Sequence, residues 1–191
     1  MNFLIVTGLS GAGKSMAVNA LEDIGFFCID NIPAGLLPRI LDFAQQGENQ
    51  LSRVAVVMDI RGLHSVQETN EALEALDEKK MPYDILFLDA SDAAIRRRYK
   101  ETRRVHPMTI SEGIPVSEAI TKERQILQPL RERAKYVIDT SLLSTAQNRE
   151  RVSSLFLQKG QCAMSINVVS FGFKYGLSLI HISEPTRHAQ I

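Results

Sequence analysis

The stretch Gly8-Leu9-Ser10-Gly11-Ala12-Gly13-Lys14-Ser15 constrains the fold more than any other part of this 191-residue chain. It has the form G-x-x-x-x-G-K-S, which ordinary glycine usage produces by chance in on the order of one per cent of chains this long. Its setting narrows the reading further. The apolar residues 3–7 lead straight into it and suit a buried parallel strand. After it, Met16, Val18, Ala20, Leu21 and Ile24 fit a helix over 14–24 that Gly25 ends. A glycine-rich loop between strand and helix lets successive N–H groups turn inward on phosphate oxygens, and the helix dipole adds positive potential there. Lys14 is then expected to bridge the β- and γ-phosphates as a catalytic group, and the Ser15 hydroxyl to take a Mg²⁺ position. The competing reading is a turn that merely packs helix on strand.

Beyond the loop the pattern alternates. Residues 26–30, 54–60, 85–88 and 136–139 read as further strands; 35–46, 64–80, 92–104, 117–133 and 147–158 read as helices. Strands spaced by helices of this length predict an α/β P-loop fold, a mainly parallel sheet flanked by helices. The acid-rich face of 64–80 is expected to be solvated. Residues 164–173 read as a strand that opens a second domain, which places the first domain at 1–158 and the start of the second at 159–176. No apolar run approaches the 18 residues of a membrane span, and the N-terminus lacks the basic region of a signal peptide. Cys28 and Cys162 lie too far apart for a redox pair, so two reduced thiols in a cytoplasmic protein are expected.

Asp59 follows Val54-Ala55-Val56-Val57-Met58 and is expected to reach the Mg²⁺ shell or hold a water, as the acid of a Walker-B strand does. Asp59-Ile60-Arg61-Gly62 also has the D-x-x-G form of GTP-binding proteins. Asp89, after Leu86-Phe87-Leu88, is the rival acid, and Asp59 is preferred. Asp30 ends the second strand, where substrate contact and loop capping are both open readings. Between Arg96 and Arg104 six basic residues face one acid, Glu101. On a helix, Arg96, Lys100 and Arg103 share one face, and Arg97 and Arg104 another. Such faces suit contact with transferring phosphates or RNA phosphates, or plain solvation. His106-Pro107 is expected to end that helix, a catalytic His106 being the less favoured reading. Arg131 and Arg133 are candidates to reach the same cleft.

Taken together, these motifs closely resemble the RapZ/YvcJ family of bacterial nucleotide-binding proteins. The resemblance rests on residues 8–15, Gly25-Phe26-Phe27-Cys28-Ile29-Asp30-Asn31-Ile32-Pro33, Asp59-Ile60-Arg61 and Leu86-Phe87-Leu88-Asp89-Ala90-Ser91. It continues in residues 97–104 with His106-Pro107, in Val137-Ile138-Asp139-Thr140-Ser141 and in residues 168–176. It implies a kinase-like P-loop domain that slowly hydrolyses ATP and GTP with Mg²⁺, with 8–15 as the ATP loop and 59–62 as the guanine-nucleotide segment. In the enterobacterial branch such proteins are RNase adapters that present a small regulatory RNA to an endoribonuclease, through a C-terminal domain that also senses an amino-sugar phosphate. The chain is expected to be truncated within that domain. The partners implied are a nucleoside triphosphate, that RNA and RNase through the missing domain, and a second copy in a homo-oligomer, with no membrane.

Residues 177–187 resemble the in-frame translation of a common transposon-based sequencing adapter, so 177–191 are expected to be an assembly artefact, against a divergent native tail. The leading functional expectation is a regulator whose bound nucleotide sets its state. A small-molecule kinase, with Asp30 orienting an acceptor hydroxyl, is the alternative. A stand-alone RNA-binding module is disfavoured, because 22 basic residues balance 22 acidic ones and no aromatic-rich platform is evident.

Overall fold

Strand β1 (Asn2–Gly8) is apolar on both faces: Phe3, Leu4, Ile5 and Val6 are all 3% exposed or less. Such a strand must lie inside a sheet that is covered on both sides. The computed structural model, which describes residues 2–46, 52–63, 65–78 and 82–157, places it there. It pairs in parallel with β3 (Arg53–Val57) on one side and β4 (Tyr83–Asp89) on the other. Strands β2 (Phe27–Ile29) and β5 (Tyr136–Asp139) complete the parallel order β2-β3-β1-β4-β5. Parallel neighbours need crossovers, and helices supply them: α1 (Lys14–Asp23), α2 (Leu37–Gln46), α3 (Val66–Glu78) and α4 (Asp92–Thr102), then α5 (Pro107–Glu112), α6 (Val116–Glu132) and α7 (Thr145–Phe156). Helix α1 packs against α7, and α3 against both α2 and α6.

The chain leaves β1 toward β2 on one side and, after β3, crosses to β4 on the other. The winding reverses at β1, so a crevice opens at its carboxyl end, where the glycine loop begins.

Several boundaries differ from the sequence reading. Strand β3 stops at Val57, and Asp59 instead caps a short 3₁₀ turn, Ile60–Gly62, by accepting from the Ile60 N–H at 2.7 Å. Helix α4 ends at Thr102 because Arg103 turns left-handed, with φ 52°. His106-Pro107 opens helix α5 rather than only closing α4. Pro107 suits the first helical turn, the His106 ring accepts from the Met108 N–H at 3.3 Å, and Gly113 stops the helix.

No helix among the described residues is long and apolar enough to cross a membrane. The described residues all fall within one compact unit, Met1–Gln158. The strand expected over 164–173, Cys162 and the tail 177–191 all lie outside the described residues.

Candidate functional site

The loop between β1 and α1 is held by its carbonyls. Arg98 donates to Gly11 O at 3.0 Å. The Thr140 hydroxyl is shared between Ala12 O and Asp89 O, at 2.9 and 3.1 Å. Asn148 donates to Gly13 O at 3.4 Å, and Lys14 Nζ to Gly8 O and Leu9 O at 2.8 and 3.2 Å. With its carbonyls engaged from outside, the loop is preorganised to present N–H groups to an anion. The helix behind it favours the same outcome. Helices α4, α5 and α7 are capped by the side chains of Ser91, His106 and Ser144, whereas Gly13 leaves α1 without a side-chain cap. Its first N–H groups therefore remain available to a phosphate.

Gly8 has a different task. A Cβ there would sit 2.1 Å from Leu88 O, and its φ is 136°. The register brings Leu88 directly against Gly8, and the Leu9 N–H donates to the same Leu88 oxygen at 3.1 Å. The motif's first glycine thus lets β1 and β4 meet at the mouth of the loop.

Lys14, Ser15, Val18, Asp30, Asn31, Val57, Asp59 and Arg61 line one polar cleft of about 130 Å³. Lys14 Nζ lies 3.5 Å from Asp59 Oδ1, and Arg61 Nε lies 3.7 Å from the other carboxylate oxygen. The Ser15 hydroxyl and the Asp59 carboxylate are hard oxygen donors on that cleft. Among the described residues no cluster of three His, Cys, Asp or Glu forms a metal cage. That donor set fits a Mg²⁺ shared with phosphate oxygens, the usual habit of this ion. Asp30 both lines the cleft and caps its own turn, accepting from the Asn31 N–H at 2.7 Å.

Of the loop and 59–62 residues, Leu9, Ala12 and Ile60 send their side chains into the core, and none of the three lines the cleft. Gly62 packs on Ile32 and Pro33. Asp89 does not join the cleft lining. It is tied by Arg124 at 2.9 Å and by Arg131 at 3.1 Å, and it accepts from the Ala90 N–H. Neither Arg131 nor Arg133 reaches the cleft, contrary to the sequence expectation: Arg133 pairs with Asp77 at 2.6 Å, because the end of α6 points the two side chains apart. The basic stretch also divides. Arg96, Arg97, Arg103 and Arg104 are exposed, while Arg98 turns inward, also donating to the Thr140 hydroxyl at 3.0 Å and to Thr140 O. Burial, with Arg97 nearby, lowers its pKa. His106 is fully buried and bonded to Glu123, so it touches no substrate.

Sequence reasoning missed Thr140, Asn148, Tyr99 and Glu123. Tyr99 lies against Gly11, its ring 5.5 Å from that of His106, and burial pushes its hydroxyl up to about 12, so it stays a neutral donor. Glu123 did leave a signal. It falls in the apolar stripe Ala119, Ile120, Ile126, Leu127, Leu130 of α6, where a charge must be buried and partnered.

The sequence profile of the RapZ-like N-terminal domain matches residues 1–160. A "nucleotide-binding protein" of Alkaliphilus oremlandii is 43% identical over 94% of this chain and 61% of its own length. One from Moorella thermoacetica is 48% identical over 92% of this chain and 59% of its own. The chain thus spans about six-tenths of the length of the curated relatives it matches. A shikimate kinase structure from Bacteroides thetaiotaomicron aligns at 16% identity with a TM-score of 0.48, over 80% of this chain and 95% of that one.

Proposed function

This chain belongs to the RapZ-like N-terminal domain family, and from that premise we infer that it binds ATP or GTP with Mg²⁺ and hydrolyses it slowly. The observation that carries the reading is the loop itself, whose carbonyls are clamped from outside and whose last two residues, Lys14 and Ser15, line one polar cleft with Asp59. Lys14 would leave Gly8 O and Leu9 O for the β- and γ-phosphate oxygens. Ser15 and Asp59 would hold Mg²⁺, which neutralises charge on the phosphate oxygens. Arg61 stands beside Asp59 at the cleft rim as a further cation for the phosphates.

We place regulation ahead of turnover. In this reading the nucleotide sets the state of an RNase adapter whose output is binding of a small regulatory RNA and an endoribonuclease. One observation favours a second reading, a small-molecule kinase: Asp30 shares the cleft with Lys14 and Asp59, where it would orient an acceptor hydroxyl.

Lys14→Ala should abolish nucleotide retention, read by titration with a fluorescent ATP or GTP analogue, while the melting curve stays cooperative. Wild-type affinity in that variant would sink the phosphate-loop assignment. Asp59→Asn should keep nucleotide binding and lose Mg²⁺-dependent hydrolysis. If Asp89→Asn does so instead, Asp59 is the wrong acid. An acceptor screen separates the two readings: a kinase phosphorylates some small hydroxyl compound and consumes ATP faster in its presence.

A further inference from the structure

Beneath the loop lies a buried polar triad that binding as described does not use. Glu123, Ser10 and His106 are 0%, 4% and 0% exposed. The Ser10 N–H donates to both Glu123 oxygens, at 3.0 and 3.1 Å, and the Ser10 hydroxyl donates to one of them at 2.7 Å. His106 Nε2 lies 3.0 Å from the other. The opposite ring nitrogen accepts from the Met108 N–H, so the proton of a neutral ring sits on Nε2 and points at the carboxylate. The carboxylate thus takes hydrogen bonds from two elements at once.

A carboxylate buried beside an anion site carries a Coulombic cost to phosphate binding, and its retention there calls for a compensating task. Its contacts show one. They withdraw the Ser10 N–H and hydroxyl from the phosphate side and fix the loop where its carbonyls begin to turn outward. Resting on the phosphate-loop reading, we propose that Glu123 is a positioning residue for nucleotide binding. From α6 it sets which N–H groups of the loop face the phosphates, and His106 orients it.

The test is a double-mutant cycle on the full chain, with inorganic tripolyphosphate and ATP as separate probes and calorimetry for affinity. Glu123→Gln keeps the size but reverses one hydrogen-bonding end, and should raise the Kd of both probes by the same factor, about tenfold. Ser10→Ala should weaken binding less, and the Ser10→Ala/Glu123→Gln pair should bind no worse than Glu123→Gln alone. His106→Gln, which restores a donor to the carboxylate, should retain affinity that His106→Leu loses. Unchanged Kd in folded Glu123→Gln overturns the proposal, as does additivity or a loss confined to the melting temperature. If Glu123→Gln does not fold, the two His106 variants decide, and equal affinities refute it. Lys14→Ala in the same series keeps the two readings apart. Loss in Lys14→Ala alone removes only the role of Glu123, while wild-type binding in both removes the phosphate-loop reading itself.

Discussion

Gly8→Ala isolates what the first glycine of the motif does. Its Cβ would stand 2.1 Å from Leu88 O, 2.7 Å from Leu88 N and 2.8 Å from Leu88 C, all backbone atoms of the neighbouring central strand. Backbone in a paired strand cannot rotate away, so the overlap of about an ångström must be relieved by parting β1 from β4. Parting them breaks the buried bond from the Leu9 N–H to Leu88 O, at about 1–3 kcal/mol. Holding alanine at a φ of 136° adds about 1–3 kcal/mol. The sum, roughly 2–6 kcal/mol, is a large share of a domain's total stability and corresponds to a fall in Tm on the order of 10 °C. Gly25→Ala is the control. It has a φ of 86° with nothing within 4 Å of its Cβ, and should cost only about 1 kcal/mol. Thermal melts of both variants, followed by circular dichroism without nucleotide, compare them directly. A Gly8→Ala protein that melts within a few degrees of Gly25→Ala would refute the packing account of this glycine.

Two further outcomes are expected. Arg98→Ala removes the donor to Gly11 O and the ties to Thr140, and should raise the nucleotide Kd about tenfold in a titration with a fluorescent analogue. Arg98→Lys should recover little, since an ammonium cannot reproduce the planar fork, and full recovery would show that charge alone matters. Burial, reinforced by Glu22 and Asp30, pushes the Cys28 thiol up to about 11. At pH 7.5 about one molecule in three thousand then carries the thiolate, against roughly one in ten for a free cysteine. Cys28 should be alkylated at least a hundredfold more slowly than a free thiol, as read by peptide-resolved mass spectrometry.

The loop and its flanking strand and helix were legible because all their determinants are local: an apolar run, three glycines, Lys14 and a helical repeat within 24 residues. The clamp around the loop was not. Glu123, Thr140 and Asn148 meet it from 113, 128 and 135 residues away, and only the order of strands and the packing of α6 and α7 bring them there. Arg98 shows a subtler failure. Grouping the basic residues by face left it apart from Arg96, Lys100 and Arg103 and from Arg97 and Arg104. That was the informative fact, because Arg98 follows Ala94 and Ile95, the buried face of α4. A cation on an apolar stripe is held for a reason, as Glu123 is on α6.

Asp59 and Asp89 show where local pattern stops deciding. Each follows an aliphatic strand, and β3 and β4 both flank β1, so neither motif nor strand order separates them. Their partners do. Helix α6 carries Arg124 and Arg131 seven residues apart, two turns along one face, and both close on Asp89, with Arg124 also holding Asp92 at 2.9 Å and Ala90 O. A carboxylate held by two guanidinium groups gains little from a Mg²⁺ that would have to displace them. Beyond its cap on the Ile60 N–H, Asp59 meets Lys14 at 3.5 Å and Arg61 at 3.7 Å among the described residues, ion pairs long enough to be exchanged for ligand. The pair of arginines at i and i+7 was visible in the sequence. It marks Asp89 as the acid that ties α6 to the sheet, which supports our proposal of Asp59 as the acid that serves the nucleotide.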